Sequence, residues 1–342
     1  MKHAFMMGFF LCLITHVVRA QEFNFHSRFD GFFDNREYFN DYIQPQSVLG
    51  TRVWLDAGTS TDNNHNIQLG LTALYEFGST GDRIVPEPVF YYSTHQKHHE
   101  LYFGLFPRYK TIEVPRMLLN DTLLYFRPNV EGIFLKFKIT KGYQNVWLDW
   151  TSRQTETRRE TFLLGGTGRY NFGRLFYFHH FLMYHYAGPA VRVPDDQIRD
   201  NGGLITGLGY NFTPGTNFDT LYINTAFAAS YDQHRSIYKM RFYGGSLTEI
   251  NAQYKGFGIN ETFYIGDGQL QLMGDQFYTS EVYSRTDFFW KPYKKINNID
   301  WKIQISVHCV PGSIDWSQIF VISYDFNKIW KSKARDFKNV VD

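Results

Sequence analysis

The densest set of polar side chains with a chemical use lies near the middle of the chain. Asp149, Thr151 and Arg153 lie at alternate positions, opposite Val146, Leu148 and Trp150, and Arg158 and Glu160 follow on the next segment. Residues two apart share one face of a β-strand, so carboxylate and guanidinium groups are expected on a common surface. In a pore, facing charges of opposite sign filter solutes and orient them in a transverse field. Alternatively, these charges pair with one another and stiffen the wall.

Four more charged residues lie opposite apolar stripes further along the chain, namely Lys239, Arg241, Glu249 and Lys255. Such charges are difficult to place inside a packed sandwich but are expected in a water-filled lumen. Together with the charges just described, they form the predicted constriction that faces the lumen. The cations favour anionic solutes, and the carboxylates oppose that preference.

Two histidines on one face, His179 and His185, invite a metal or acid–base interpretation. At about 3.3 Å per residue they are roughly 20 Å apart along a strand, so they cannot share an ion. No other set of His, Cys, Asp or Glu has the spacing of a zinc site. The sequence therefore predicts no metal, no cofactor and no catalytic set, and assigns these histidines to hydrogen bonds in the lumen.

The elements that would position these residues are β-strands. Apolar and polar residues alternate strictly, as with Ile67, Leu69 and Leu71 against the polar residues between them, and the same pattern recurs at 176–186, 221–229, 299–307 and 320–326. In 176–186 the stripe of Phe176, Phe178, His180 and Leu182 is assigned to the lipid-facing surface. Turn residues separate the runs, except in two longer connections at 107–130 and 188–203.

Composition narrows the class of protein. The chain has 342 residues, of which 43% are hydrophobic and 19% aromatic, and its formal net charge is only +2. The weak net charge does not favour a nucleic-acid partner, and the aromatic content excludes disorder. Residues 1–20 are predicted to be a secretory signal peptide, residues 21–330 a barrel and residues 331–342 a polar tail. Cys309 is then the single remaining cysteine, so no internal disulfide is expected.

Alternation alone fits a sandwich and a membrane barrel equally well. Aromatic residues at strand ends, such as Tyr75, Tyr186 and Trp290, are typical of the girdles at membrane interfaces. About 20 residues per strand with its connection gives about 16 strands, and 14 to 18 are compatible with the length. A sheet in lipid must close, because open edges leave backbone groups unsatisfied. The predicted fold is an all-β, antiparallel, up-and-down transmembrane barrel.

The export signal and the repeated amphipathic strands resemble the Gram-negative outer-membrane porin-like β-barrels. The segment 29–38 is similar to their aromatic, charged first strand, whereas Phe326 and Trp330 are followed by residues 331–342 rather than by a terminal aromatic residue. The resemblance implies an outer-membrane channel for passive passage of small polar solutes. It also implies contact with outer-membrane lipids and the barrel assembly machinery, and leaves a homo-oligomer open.

Three other functions fit the same pattern. An outer-membrane lipid hydrolase would use His180 as base and Ser152 or Ser230 as nucleophile, although no Gly-x-Ser-x-Gly motif is present. A non-conducting barrel with a structural role, or one that forms part of an export complex, would share nearly every feature. A soluble secreted carbohydrate-binding β-protein is disfavoured by the charges within the strands.

Overall fold

The computed structural model describes residues 22–61, 64–80, 84–188, 198–292 and 298–331. They form one closed barrel in which each strand pairs antiparallel with its neighbours in sequence, and β1 closes on β16. The prediction of an all-β antiparallel barrel with about 16 strands is confirmed. The strands are β1 (Glu22–Glu37), β2 (Gln46–Ser60), β3 (His65–Glu76), β4 (Ile84–His95), β5 (His99–Pro107), β6 (Asn129–Ile139), β7 (Gly142–Ser152), β8 (Thr161–Phe172), β9 (Leu175–Tyr186), β10 (Arg199–Asn211), β11 (Thr220–His234), β12 (Tyr238–Tyr254), β13 (Phe257–Gly266), β14 (Val282–Trp290), β15 (Ile299–Val310) and β16 (Ser313–Lys331).

Within the part of the chain that the structure describes, helical structure is confined to short pieces between strands. Two 3₁₀ turns cover Arg108–Lys110 and Gln276–Thr279 there, and one α-helix, α1, covers Leu123–Phe126. Across the described ranges, no helix is long and apolar enough to cross a membrane. The predicted signal peptide at 1–20 and the tail beyond Lys331 lie outside the described residues.

The two ends of the barrel differ in their connections. One end, here called the terminal rim, carries Glu22 and Lys331, which pair with each other. Several of its turns are tight, such as Lys255-Gly256, where both residues have positive φ as a type I′ turn requires. The opposite end, here called the loop rim, carries the longest connections, including 108–128 and 267–281. In outer-membrane barrels the end with the longer loops faces the exterior.

The wall separates an apolar outer surface from a mixed inner one. On β15, Ile303 is 41% exposed on the outside, whereas its neighbour Gln304 is 3% exposed on the inside. On β3, Ile67, Leu69 and Leu71 are likewise exposed on the outside. The lipid-facing surfaces predicted for these two strands are confirmed.

On β9 the structure reverses the predicted faces. Phe176, Phe178 and Leu182 are buried in the interior and belong to the main apolar cluster. Both faces of this strand are rich in aromatic residues, so alternation does not distinguish them. The contacts of the strand determine which face lies inside, because the same cluster contains Met117 and Leu118 from a segment that enters the lumen.

That segment is the connection between β5 and β6, residues 108–128, here called the first lumen segment. The long connection predicted at 107–130 is confirmed. It folds into the barrel rather than extending outward from the rim. Thr167 Oγ1 of β8 donates a hydrogen bond to Glu113 O (3.0 Å), and Arg52 Nη2 of β2 donates one to Tyr125 O (2.5 Å). The segment therefore bridges distant parts of the wall.

A second lumen segment, residues 267–281, connects β13 to β14. The sequence analysis expected long connections only at 107–130 and 188–203, and this third one corrects it, because the chain continues inward after β13. Asn201 Oδ1 on the far wall accepts a hydrogen bond from Leu272 N (3.0 Å), and Asn120 N of the first segment donates to Met273 O (2.7 Å). The other predicted long connection, 188–203, has residues 189–197 outside the described part, and β10 begins within it.

Candidate functional site

The predicted constriction residues occupy several different places. Asp149 and Glu249 point into the lumen, and Asp149 is completely buried there. The structure places the others at the ends of the barrel. Arg153, Arg158 and Glu160 lie in the connection between β7 and β8 at the loop rim, and Lys255 lies in a turn at the terminal rim.

Lys239 and Arg241 lie on an arm that β11 and β12 extend at the loop rim. Pairing of β12 with β13 starts only at Gly245, so this part of β12 has no partner on that side within the described residues. Both side chains are exposed, and the guanidinium of Arg241 lies 4.0 Å from the ring centroid of Tyr238. The eight predicted charges therefore do not converge on one constriction.

Asp149 instead anchors the first lumen segment. Its carboxylate forms an ion pair with Arg108, and it also accepts a hydrogen bond from Glu131 N (3.0 Å). Arg108 donates further hydrogen bonds to two backbone carbonyl oxygens, those of Arg127 and Asn129. With both side chains at 1% exposure or less, the pair is a structural contact.

A second ion-pair network ties the same segment to β1. Asp121 lies 3.1 Å from the Nη2 atom of Arg36 and 2.5 Å from that of Arg116. Burial alone would raise the pKa of Asp121, but Arg116 and Arg36 outweigh it and lower this pKa to about 2. The carboxylate is therefore ionised throughout the physiological range of pH.

A polar cavity of about 290 Å³ lies beside the lumen segments, and Glu249 is in its wall. Arg116 of the first segment and Arg285 of β14 line it together with the carboxylates of Glu249 and Asp287. Arg285 Nε donates to Asp287 (2.6 Å), and Glu249 accepts from Asn224 Nδ2 (3.1 Å). Side chains of both charges therefore meet in this cavity.

The histidine and serine candidates for lipid hydrolysis do not come together. His180 faces the lumen, where its Nδ1 is 3.0 Å from Thr167 Oγ1, so it is not on the lipid-facing surface. Ser230 is buried in the interior, and Ser152 Oγ donates to Arg159 O (2.7 Å) at the loop rim. His179, predicted in the lumen, lies on the outside beside the ring of Tyr177.

The structure places a different acid–base group on the outer surface. His185 and Asp200 are directly opposite each other on β9 and β10. Asp200 Oδ1 lies 2.6 Å from His185 Nδ1, and Asp200 Oδ2 accepts hydrogen bonds from Nε and Nη2 of Arg235 (2.9 and 2.7 Å). We call His185, Asp200 and Arg235 the outer cluster.

Aromatic rings extend the outer cluster along the wall at the same height. Phe162 is the cross-strand neighbour of His185, with ring centroids 4.9 Å apart, and Trp150 stacks on Phe162 at 5.4 Å. This row lies near the loop rim, at the ends of β7 to β10. Aromatic rows at this position are typical of a membrane interface.

Sequence reasoning missed the outer cluster because its members are far apart in the chain. His185 was assigned to the lumen face, and Asp200 fell within a predicted loop. Only the register of β9 with β10 brings the two together. Among the described residues, no group of three or more His, Cys, Asp or Glu is arranged to hold a metal ion.

A comparison with known protein families gives one match. The model of the lipid A 3′-O-deacylase-type family matches residues 16–332, which is nearly the whole chain. No curated protein sequence matches the chain significantly.

Solved structures with a similar fold are outer-membrane proteins. A loop-deletion mutant of OmpT from Vibrio cholerae has a TM-score of 0.55 at 8% identity, covering 90% of this chain and 100% of that one. An anion-selective porin from Comamonas acidovorans has a TM-score of 0.54 at 11% identity, covering 88% and 100%. Salmonella typhi OmpF, in complex with daunomycin, has a TM-score of 0.52 at 9% identity, covering 90% and 99%.

These likenesses establish the fold. The protein has the porin-like barrel fold of these outer-membrane proteins, and the predicted fold is confirmed.

Proposed function

The chain belongs to the lipid A 3′-O-deacylase-type family, and from this premise we propose that it hydrolyses an acyl ester of a lipid in the outer membrane. The observation that carries the proposal is the outer cluster. A histidine oriented by a carboxylate is a common general base, and here it lies on the wall that faces lipid.

The position of the cluster suits an ester at the membrane interface. The stacked pair of Trp150 and Phe162 lies beside His185, and aromatic girdles mark the depth at which headgroups meet acyl chains. Since the loop rim is the end that faces the exterior in such barrels, the cluster would meet the outer leaflet. This is the leaflet in which lipid A-type glycolipids lie.

The hydrogen bonds define a role for each member. Asp200 engages Nδ1 of His185 and fixes the ring, which leaves Nε2 as the nitrogen for proton transfer. Arg235 holds the second oxygen of Asp200, and its side chain is 53% exposed. Its exposed N–H groups are available to an anionic headgroup.

The reaction is the attack of water on the ester carbonyl. His185 removes a proton from the water as the new C–O bond forms, and it returns that proton to the departing alkoxide oxygen as the ester C–O bond breaks. The products are a free fatty acid and a lipid with one hydroxyl restored. Ser152 Oγ is bonded to Arg159 O and Ser230 is buried in the interior, so the proposed nucleophile is water rather than serine.

The test uses the full chain in vesicles that contain purified lipid A, with the released fatty acid measured by mass spectrometry. We expect His185→Gln to lower the rate at least about 100-fold, which is the usual contribution of a general base. His179→Gln is the matched control, because this histidine lies on the same strand and the same outer face.

Three outcomes would contradict the proposal. Wild-type protein that is folded, as judged by heat-modifiable gel mobility, and yet releases no fatty acid would exclude this activity. Equal rates for wild type and His185→Gln would exclude the outer cluster as its site. An equal loss of rate in both histidine variants would show that a disturbance of β9, rather than the removal of a base at His185, lowers the rate.

The charged cavity favours a second candidate function, the passage of small polar solutes. Its lining combines Arg116 and Arg285 with Glu249 and Asp287, which is the chemistry of a porin constriction. The lumen segments occupy the interior on one side of it. Single-channel recordings in planar bilayers should then give small conductance steps whose ion selectivity shifts towards anions in Glu249→Lys. A folded protein without conductance would exclude this function and leave the hydrolase proposal standing.

A further inference from the structure

The outer surface carries a row of five polar side chains on the adjacent strands β10 to β14. Each lies four to six residues from the terminal-rim end of its strand. Exposed apolar side chains, such as Ile223, Ile250 and Phe288, are two residues away on the same face of three of these strands. We call the row the outer belt, and its members are Thr206, Thr225, Thr248, Glu261 and Thr286.

The outer belt lies at the depth of the hydrocarbon. On its terminal-rim side, Tyr254, Phe257 and Trp290 are exposed at the ends of β12 to β14. On its loop-rim side, Tyr231 and Phe242 are cross-strand neighbours on β11 and β12. Such aromatic rows mark the two interfaces of a membrane, and the belt lies between them. At the same height on four other strands the outer side chains are apolar, namely Leu69, Phe90, Phe103 and Ile303.

Glu261 is the member of the belt that is least suited to lipid. Its two oxygens accept hydrogen bonds from Ser284 Oγ (2.7 Å) and Thr286 Oγ1 (2.5 Å). An ionised carboxylate has about four acceptor positions, so about two remain open. Acidic side chains at this depth are rare and usually face protein or water. The carboxylate therefore indicates that a partner with hydrogen-bond donors covers this part of the wall.

The threonines of β11 and β12 can supply such a donor. Oγ1 of Thr225 and Oγ1 of Thr248 lie 3.2 Å apart, so one hydroxyl donates to the other and the second keeps its proton for another acceptor. Thr206 is less suited, because its Oγ1 already donates to Tyr177 Oη (3.1 Å) on β9. On that side the belt ends at the rings of Tyr177 and His179, whose centroids are 5.6 Å apart.

The order of the belt is symmetric about β12. Glu261 lies one strand to one side of Thr248, and Thr225 lies one strand to the other side. Two copies related by a two-fold axis along the membrane normal present the same patch to each other, with its two sides exchanged. With the axis beside β12, Glu261 would face the partner's Thr225, and Thr248 would face its own counterpart. Each carboxylate would then meet a hydroxyl group, and the two carboxylates would not meet.

The shape of the wall at the belt permits a close approach. A shallow depression of about 340 Å³ lies over β10 to β12, and Thr225, Gly245 and Ser246 are in its lining. Its lining also includes Leu208 and Phe227, whose side chains are more than half exposed. Small residues such as Gly, Ser and Thr are enriched where protein surfaces pack together in membranes, because they let the backbones come close.

We propose that the outer belt is the contact through which two copies of this chain associate in the membrane, with β12 at its centre. The partner's hydroxyl groups complete the hydrogen bonds of Glu261, and its side chains cover the depression over β10 to β12. The contact is separate from the outer cluster, in which His185 and Asp200 lie at the loop-rim ends of β9 and β10. It does not depend on the proposed hydrolase activity, and its tests measure association rather than fatty-acid release.

The association is measured by analytical ultracentrifugation of the folded full chain in detergent, over a range of protein concentrations. We expect a dimer, and we expect Glu261→Leu to raise its dissociation constant at least about tenfold, because hydrogen bonds to a charged group are lost. Glu131→Leu is the matched control, since Glu131 is an exposed carboxylate on β6, away from the belt. Wild-type chain that stays monomeric at every concentration would overturn the proposal. An unchanged dissociation constant in Glu261→Leu, or an equal rise in Glu131→Leu, would exclude the outer belt as the contact.

Disulfide cross-linking in lipid vesicles locates the axis of the dimer. The background variant is Cys309→Ser, which removes the free cysteine of the described residues. In this background Thr248→Cys should give a covalent dimer on oxidation, because position 248 faces its own counterpart. Leu69→Cys is the control, at the same height on another part of the wall and 65% exposed. Equal yields of covalent dimer at the two positions would mean random collision, and a higher yield for Leu69→Cys would place the contact on another wall; either result would overturn the proposal.

Discussion

The outer cluster and the pair of Arg108 with Asp149 both consist of a carboxylate held by an arginine, but their surroundings are opposite. Asp149 is closed in by the lumen segment, and the hydrogen bonds of Arg108 go to the protein itself. In the outer cluster the arginine is half exposed and the carboxylate also engages a histidine. The carboxylate–arginine pair in the lumen therefore stabilises the fold. The pair on the outer surface can instead orient a histidine that accepts a proton.

The largest difference between the two regions should appear in activity. Asp200→Asn removes the charge that orients and stabilises protonated His185, so we expect the fatty-acid release rate to fall at least about 100-fold. The free energy of unfolding in detergent should change little. Asp300→Asn is the control, since Asp300 is a carboxylate 3.4 Å from a lysine at the terminal rim. A parallel loss of rate in both variants would remove the special role of Asp200.

Stability should show the reverse order. Arg108→Met leaves Asp149 buried without its partner, and breaking such a pair costs about 3–5 kcal/mol. Arg235→Met removes an arginine whose side chain is half exposed and should cost less than about 1 kcal/mol. Denaturant unfolding followed by tryptophan fluorescence measures both changes. Equal costs would mean that the first lumen segment is not anchored by Arg108.

The wall itself offers a third contrast between the outside and the lumen. Ile303→Arg places a charge on the exposed face of β15 and should cost about 2–4 kcal/mol near the midplane of the membrane. Lys302→Arg, one residue earlier and on the other face, keeps a cation in the lumen and should be nearly neutral. The free energy of unfolding into denaturant from lipid vesicles checks this. Similar costs at both positions would contradict the lipid-facing assignment of Ile303.

The closed barrel and the faces of β3 and β15 could be predicted, because in these strands the apolar side chains lie on one face and the polar side chains on the other. The stripe of β9 could not, since Phe176 on one face and Phe181 on the other are equally apolar. Its orientation depends on Met117 and Leu118, which arrive from a segment some sixty residues earlier. Local periodicity contains no information about such a partner.

The candidate sites depend even more on distant parts of the chain. The meeting of His185 with Asp200 requires the register of two strands across a connection, and Arg235 arrives from the next hairpin. Alternation assigned Asp149 to the lumen face, but its partner Arg108 lies in a connection whose path the sequence does not specify. Sequence reasoning identified the surface on which Asp149 lies and not the contact that determines its role.

The smallest expected effect is a pH dependence confined to the lumen. Asp121, held by Arg36 and Arg116, has a pKa of about 2, which is below the value of about 3.9 in an unfolded chain. A lowered pKa means that ionised Asp121 stabilises the fold fully above about pH 4, and that this contribution is lost as the pH falls through 2. The shift corresponds to about 2–3 kcal/mol.

Asp121→Asn isolates this contribution, because the amide keeps the size of the side chain and does not titrate. Unfolding in guanidinium chloride should show a constant difference between wild type and variant from about pH 7 to about pH 4. Between about pH 4 and about pH 2 the difference should shrink by the amount given above. A difference that stays constant over the acid range would mean that Arg36 and Arg116 do not hold the carboxylate in its ionised form, and that the lumen segment is fixed to β1 by packing alone.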